Sequence, residues 1–106
     1  MATFGELLSQ KRKEANLSQK ELASIVAKED GHPISPQYLN DLEHDRRNAP
    51  SSHLIDQFAK ALNIEPVILY HCAGELPPDL KCAPAEEHQV VAAYKAFRKA
   101  LGTKDE

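Results

Sequence analysis

The sequence predicts an all-α protein, and three observations carry that prediction. Thr3 is followed three residues later by Glu6, and Ser18 by Glu21; both are capping boxes that mark helix starts. Apolar residues recur at spacings of three and four rather than two. Prolines stand where helices begin (Pro36, Pro66), and Asn or Gly stands where they end (Asn16, Asn63, Gly74, Gly102).

Each element follows from these signals. In residues 3–15, Phe4, Leu7, Leu8 and Ala15 share a helical face. Lys11, Arg12 and Lys13 come late, where cations suit the helix dipole, and Asn16 closes the helix. The second helix starts at Ser18, buries Leu22, Ile25 and Val26, and is expected to run to Lys28 or Glu29 before Gly31 stops it. The third spans 35–44, with Ser35 as N-cap, Pro36 at the first helical position, and Leu39 and Leu42 facing inward. Ser51 or Ser52 caps a fourth helix with a wide apolar stripe of Leu54, Ile55, Phe58, Ala59 and Leu62. The fifth begins at Pro66, places Val67, Ile68 and Leu69, and stops at Gly74. ELPPDLKCAP, 75–84, reads as a proline-marked linker. A last helix from Ala85 to Leu101 repeats Val90, Tyr94, Phe97 and Leu101 on one face, and the terminal TKDE is expected to fray. The chain therefore divides into a domain over 1–74, a linker over 75–84 and a C-terminal element over 85–106.

Composition narrows the function classes. The 106 residues suffice for one modest core, and 42% hydrophobic with 27% charged residues is a globular balance. No apolar run approaches the roughly 20 residues of a membrane span, and the N-terminal MATFGELLSQKRK has no signal-peptide core; a cytoplasmic location is expected. Two cysteines in such a chain are expected to stay reduced. The net charge of −3 opposes a non-specific nucleic-acid coat, though not a local basic face. No phosphate loop, nucleophile elbow or metal-binding helix points to an enzyme or a cofactor. His71, Cys72, Cys82 and His88 lack the spacing of a zinc module, so no metal is expected.

The third helix carries the functional signal. Gln37 and Asn40 can each donate and accept at once, as an adenine edge requires. Asp41 suits a cytosine amino group or repels a wrong base, and Tyr38 suits a thymine methyl or a phosphate. The start of the second helix, with Gln19, presents amides and a positive dipole end to a phosphate. Arg46, Arg47 and Asn48 follow the third helix at a place suited to flanking backbone, and Ser35 joins these phosphate contacts.

NLSQKELA followed by ISPQYLNDLEHDRRNAPS resembles the Cro- and phage-repressor-like helix-turn-helix family of DNA-binding regulators, over about residues 4–74. The resemblance implies a five-helix lambda-repressor-like domain followed by the C-terminal helix. It implies DNA-contact roles for Gln19, Gln37, Asn40, Asp41, Arg46, Arg47 and Asn48, and a structural ion pair between Arg12 and Glu43. Two departures stand out. AKEDGHPIS is about six residues longer than the tight turn of such helix pairs, and KEDGHP is expected to lengthen the second helix, break it at Gly31 and alter how the third helix is presented. Asp45 replaces the glycine that often ends the third helix, which is expected to change how far that helix extends.

These readings point to a sequence-specific, double-stranded-DNA-binding transcriptional regulator, a repressor acting as a homodimer. Val90, Tyr94, Phe97 and Leu101 are its candidate interface, with packing on the chain's own core as the competing role. The alternative is an antitoxin or another regulator that uses the same fold and grips a protein partner with its last helix.

Overall fold

The computed structural model describes residues 2–81 and 83–102; Cys82 and the terminal TKDE lie outside the described residues. It is all-α, with an order of α1 (Phe4–Glu14), α2 (Gln19–Ile25), α3 (Pro36–Glu43), α4 (Ser52–Leu62), α5 (Pro66–Cys72), α6 (Pro78–Lys81) and α7 (Glu87–Leu101). The starts obey the caps read from the sequence. Thr3 and Ser18 each complete their capping box, and the Ser35 and Ser51 hydroxyls accept from the amides of Tyr38 and Leu54. Asn63, with φ 55°, closes α4 in the left-handed conformation.

The core lies among α1–α5. Leu8, Leu22, Val26, Leu39, Leu42, Phe58 and Leu69 are its fully buried large side chains. They come from α1, α2, the segment after α2, α3, α4 and α5, so one core fixes the positions of all five helices. Tyr70, which the apolar periodicity does not single out, is also buried.

The segment between α2 and α3 differs from expectation. The second helix ends at Ile25 and does not reach Lys28 or Glu29. Val26 turns extended, with φ −104° and ψ 113°. Ala27 pairs antiparallel with Pro33. The Ile34 amide donates to the Val26 carbonyl at 3.0 Å, and the Lys28 amide to His32 at 2.8 Å. The insertion is thus a miniature hairpin, with Gly31 at φ +89° in its turn rather than at a helix end. The cause is burial at both ends. Val26 and Ile34 both reach the core, and a closed hairpin brings them there while pairing their backbone groups. Ending the helix early leaves Ile25 exposed, so it does not join the buried stripe. His32 projects into solvent beside Asp30.

Two smaller differences concern the ends. Val67 and Ile68 are exposed and only Leu69 of that run is buried, because α5 shows the core a narrow face. Within 75–84, Pro78 starts a single helical turn, where its missing N–H leaves no hydrogen bond unmade. The chain then continues into α7, every described residue of which is exposed. Val90, Val91, Tyr94, Phe97 and Leu101 remain among the exposed large hydrophobics. The Phe97 ring meets His71 of α5 edge-on, with centroids 5.9 Å apart.

Tyr70 ties α5 to α4. Its hydroxyl donates to Asp56 Oδ1 at 3.0 Å, with the Ser52 carbonyl oxygen 3.3 Å away. Burial, reinforced by the Asp56 carboxylate, pushes the phenol up to about 12. The folded pKa therefore lies above the unfolded value of about 10. The stabilising contribution is complete below pH ~10 and is lost as pH rises toward ~12. Urea unfolding across that window should show wild type losing on the order of 2 kcal/mol more than Tyr70→Phe. At pH 7 the variant should be about 1 kcal/mol less stable. Parallel alkaline profiles would rule out Tyr70 as the titrating group.

Candidate nucleic-acid interface

The outward side of α3 is held by a chain of polar contacts that starts in α1. Arg12 Nε donates to Glu43 Oε2 at 2.6 Å and its Nη2 to Oε1 at 3.0 Å, a bidentate fork. Its Nη1 donates to the Leu17 carbonyl at 2.8 Å, which also secures the α1–α2 turn. Gln19 Nε2 donates to Glu43 Oε1 at 3.0 Å and to Asn40 Oδ1 at 3.1 Å. Side chains of α1, α2 and α3 thus converge on one carboxylate. Both ionic partners are largely withdrawn from water, with side-chain exposures of 11% and 3%.

Backbone proximity reinforces this junction. Gly5 is buried where α1 meets the end of α3. A Cβ there would collide with the Leu42 carbonyl and stand 2.6 Å from the Glu43 carbonyl oxygen, so only glycine permits the approach. Asp45 sits just past α3 at φ 56°. Its Oδ1 accepts from the Gly5 amide at 3.0 Å and its Oδ2 from the Thr3 hydroxyl at 2.6 Å. Asp45 therefore caps α1 while ending α3, and α3 stops at Glu43. Aspartate tolerates the left-handed conformation better than most residues, and its side chain adds contacts that glycine lacks. Gly5 and Asp45 are positioning residues whose partnership the sequence does not announce.

The candidate reading residues occupy the outer side of α3. Gln37 is exposed, and Tyr38, Asn40 and Asp41 are half-buried. The Asn40 carbonyl oxygen is taken by Gln19, a bond that does not use its two N–H donors. Asp41 accepts from Gln37 Nε2 at 3.1 Å. It also lies 3.6 Å from Arg46 Nη1 and 3.6 Å from Arg47 Nε. The Arg47 guanidinium stacks over the Tyr38 ring, 5.5 Å from its centroid. Partial burial raises the Tyr38 phenol, Arg47 opposes the shift, and the ring stays a neutral donor at physiological pH. Asn48 is exposed in the same loop. The Ser35 hydroxyl is engaged as the α3 cap, and Gln19 at the start of α2 is engaged with α3.

Gln19 and Asn40, and Gln37, Tyr38, Asp41, Arg46 and Arg47, are thus joined by contacts within α2, α3 and the loop after it, while Ser35 serves as a cap. An N-capped helix with amide-bearing outer side chains, flanked by arginines and locked to two scaffold helices, can be inserted into a major groove without rearranging its support. These features are those of a DNA-binding helix-turn-helix regulator. The sequence relationship agrees: the helix-turn-helix family HTH_3 matches residues 8–69, more than half of the chain, and the protein belongs to that family. The resemblance read from the motifs and the all-α helix-turn-helix architecture are both borne out. Among solved structures, a chain of the SinR protein/SinI protein complex shares the fold, with a TM-score of 0.54 and 22% identity over 94% of this chain and 92% of that one. No curated protein sequence matches. Among the described residues no group could hold a metal ion, and no helix is long and apolar enough to cross a membrane.

Removing the Glu43 carboxylate leaves Arg12 desolvated and unpaired. Glu43→Ala should lower stability by about 3 kcal/mol and the melting temperature by more than about 10 °C. The paired replacement Arg12→Met/Glu43→Leu should recover most of that loss, because no charge is then left buried. A single-variant loss below about 1 kcal/mol in chemical denaturation would show that other contacts hold α3.

Proposed function

We propose that the protein is a sequence-specific transcriptional repressor that binds double-stranded DNA as a homodimer. The observation that carries the DNA-binding part is the Arg12–Glu43–Gln19–Asn40 network. It fixes α3 while Gln37, Tyr38, Asn40 and Asp41 face outward for base edges. Gln19, Ser35, Arg46, Arg47 and Asn48 lie around them for the phosphates. A rigid helix presented in this way reads DNA with little loss of conformational entropy on binding.

The homodimer reading rests on α7. Val90, Tyr94, Phe97 and Leu101 form an apolar stripe left in solvent beyond a proline-marked segment. One α3 covers about half a helical turn of DNA, and a two-fold dimer would present two such helices to half-sites one turn apart. A second reading has the same stripe grip a different protein, as an antitoxin grips its toxin. The SinR protein/SinI protein complex, one chain of which shares this fold, is an assembly of two different proteins. A repressor needs no membrane and works where the DNA is, in keeping with a cytoplasmic location.

Selection of bound duplexes from a random pool tests sequence reading directly. A preferred, palindromic site is expected; recovery of unselected sequence at low salt would sink the proposal. On the selected site, Gln37→Ala should weaken binding by about 1–3 kcal/mol and relax discrimination at one base pair. On the same site, Arg47→Ala should weaken binding and flatten the salt slope by about one unit.

The dimer has its own test. Sedimentation of Leu101→Asp should give half the wild-type mass, because a carboxylate in an apolar helix pair is strongly unfavourable. An unchanged mass would place the interface elsewhere.

A further inference from the structure

The two loop arginines that face the DNA side do not stand free. Asp41 lies 3.6 Å from Arg46 Nη1 through one carboxylate oxygen and 3.6 Å from Arg47 Nε through the other. Gln37 Nε2 donates to Oδ1 at 3.1 Å and holds the carboxylate in place from one turn earlier. The Tyr38 ring under the Arg47 guanidinium keeps that side chain over α3. Asp41 itself is largely withdrawn, at 16% side-chain exposure, whereas both arginines remain more than half exposed. A carboxylate between two guanidinium groups occupies the chemical role of a backbone phosphate: one anion held by planar donors.

We infer that Asp41 is an internal competitor for the DNA phosphates, and that it suppresses sequence-independent binding by neutralising Arg46 and Arg47 until a matched site compensates its own charge. The inference rests on the DNA-binding reading above and assigns specificity to that same surface. Both ion pairs are partly solvated and long, so they are weak enough for phosphate to displace. Displacement, however, leaves the Asp41 carboxylate without its cations at the edge of the groove. On random sequence nothing replaces them, and the phosphates repel the carboxylate. On a matched site a cytosine amino group can donate to it. The penalty therefore falls mainly on wrong DNA, which is how a repulsive element creates discrimination. The chain's net charge of −3 adds to the same tendency.

The experiment is a fluorescence-anisotropy titration of a labelled random-sequence duplex and of the selected site over a salt series. It compares four full-length proteins: wild type, Asp41→Asn, Arg46→Gln/Arg47→Gln, and the triple variant. Asp41→Asn keeps the shape and the Gln37 contact. Asp41→Ser provides the same comparison if the first variant melts early. Asp41→Asn should tighten random-duplex binding about fivefold to tenfold and steepen its salt slope by about one unit. It should tighten the selected site by less, so the ratio of the two affinities falls. In the background lacking both arginines, the same substitution should tighten random-duplex binding by clearly less, because only the direct repulsion between carboxylate and phosphate is then relieved. An unchanged random-duplex affinity overturns the inference. An equal gain with and without the arginines also overturns it, since a general loss of negative charge would then suffice. Failure of wild type to prefer any site defeats sequence reading instead, and the random-duplex comparisons still decide the competition.

Discussion

The bidentate contact between Arg12 and Glu43 is the constraint on which the interface depends. Glu43 closes α3 from beneath, and its carboxylate receives donors from α1 and α2 at once. A buried ion pair is a poor source of net stability, because desolvation offsets most of the Coulombic gain. It is a good source of orientation. The guanidinium fork fixes the plane of the carboxylate, and the carboxylate fixes where the last turn of α3 can lie. Gly5 and Asp45 complete the constraint from the backbone side. Leu39 and Leu42 seat α3 on the core, and the polar junction adds directional contacts at its last turn.

Much of this was legible in the sequence, for reasons that differ from element to element. The helix starts were plain because capping is local: Thr3, Ser18, Ser35 and Ser51 each act on an amide three residues away. The arginine loop and the outward residues of α3 were legible from the motif. The hairpin was not. Ile25 and Val26 continue the helical spacing of Leu22, and it is the burial of Val26 together with Ile34 across the hairpin that favours the extended form. Two α4 side chains also hold it: His53 Nε2 lies 3.0 Å from the Ala27 carbonyl, and Gln57 Oε1 accepts from the Ala27 amide at 3.4 Å. Such long-range partners leave no mark on local periodicity. Asp45 showed only as a missing glycine, because its partners Thr3 and Gly5 lie far away in the chain.

Charge explains why an acidic chain can still present a nucleic-acid surface. The cations proposed for the phosphates, Arg46 and Arg47, stand together after α3, while most carboxylates elsewhere serve caps or local pairs. Backbone and hydroxyl donation from Ser18 holds Glu21 below the usual carboxylate range, and Gln10 with Lys11 does the same for Glu14. Glu14 lies on α1, and Glu21 is taken up in the cap of α2. Long-range attraction for any polyanion is therefore small, and close contact must supply the affinity.

The insertion between α2 and α3 fits the same division of labour. Its acidic turn, Lys28, Glu29 and Asp30, faces Ser51 and Leu54 across a shallow groove at the start of α4. Anchored there by His53 and Gln57, the hairpin takes the extra length toward the scaffold. It returns the chain through buried Ile34 to Ser35, which caps α3 just as it would after a tight turn. The inserted residues therefore do not need to touch DNA to be tolerated. What the fold requires of them is that Val26 and Ile34 reach the core side by side, and the antiparallel closure of Ala27 on Pro33 meets that requirement.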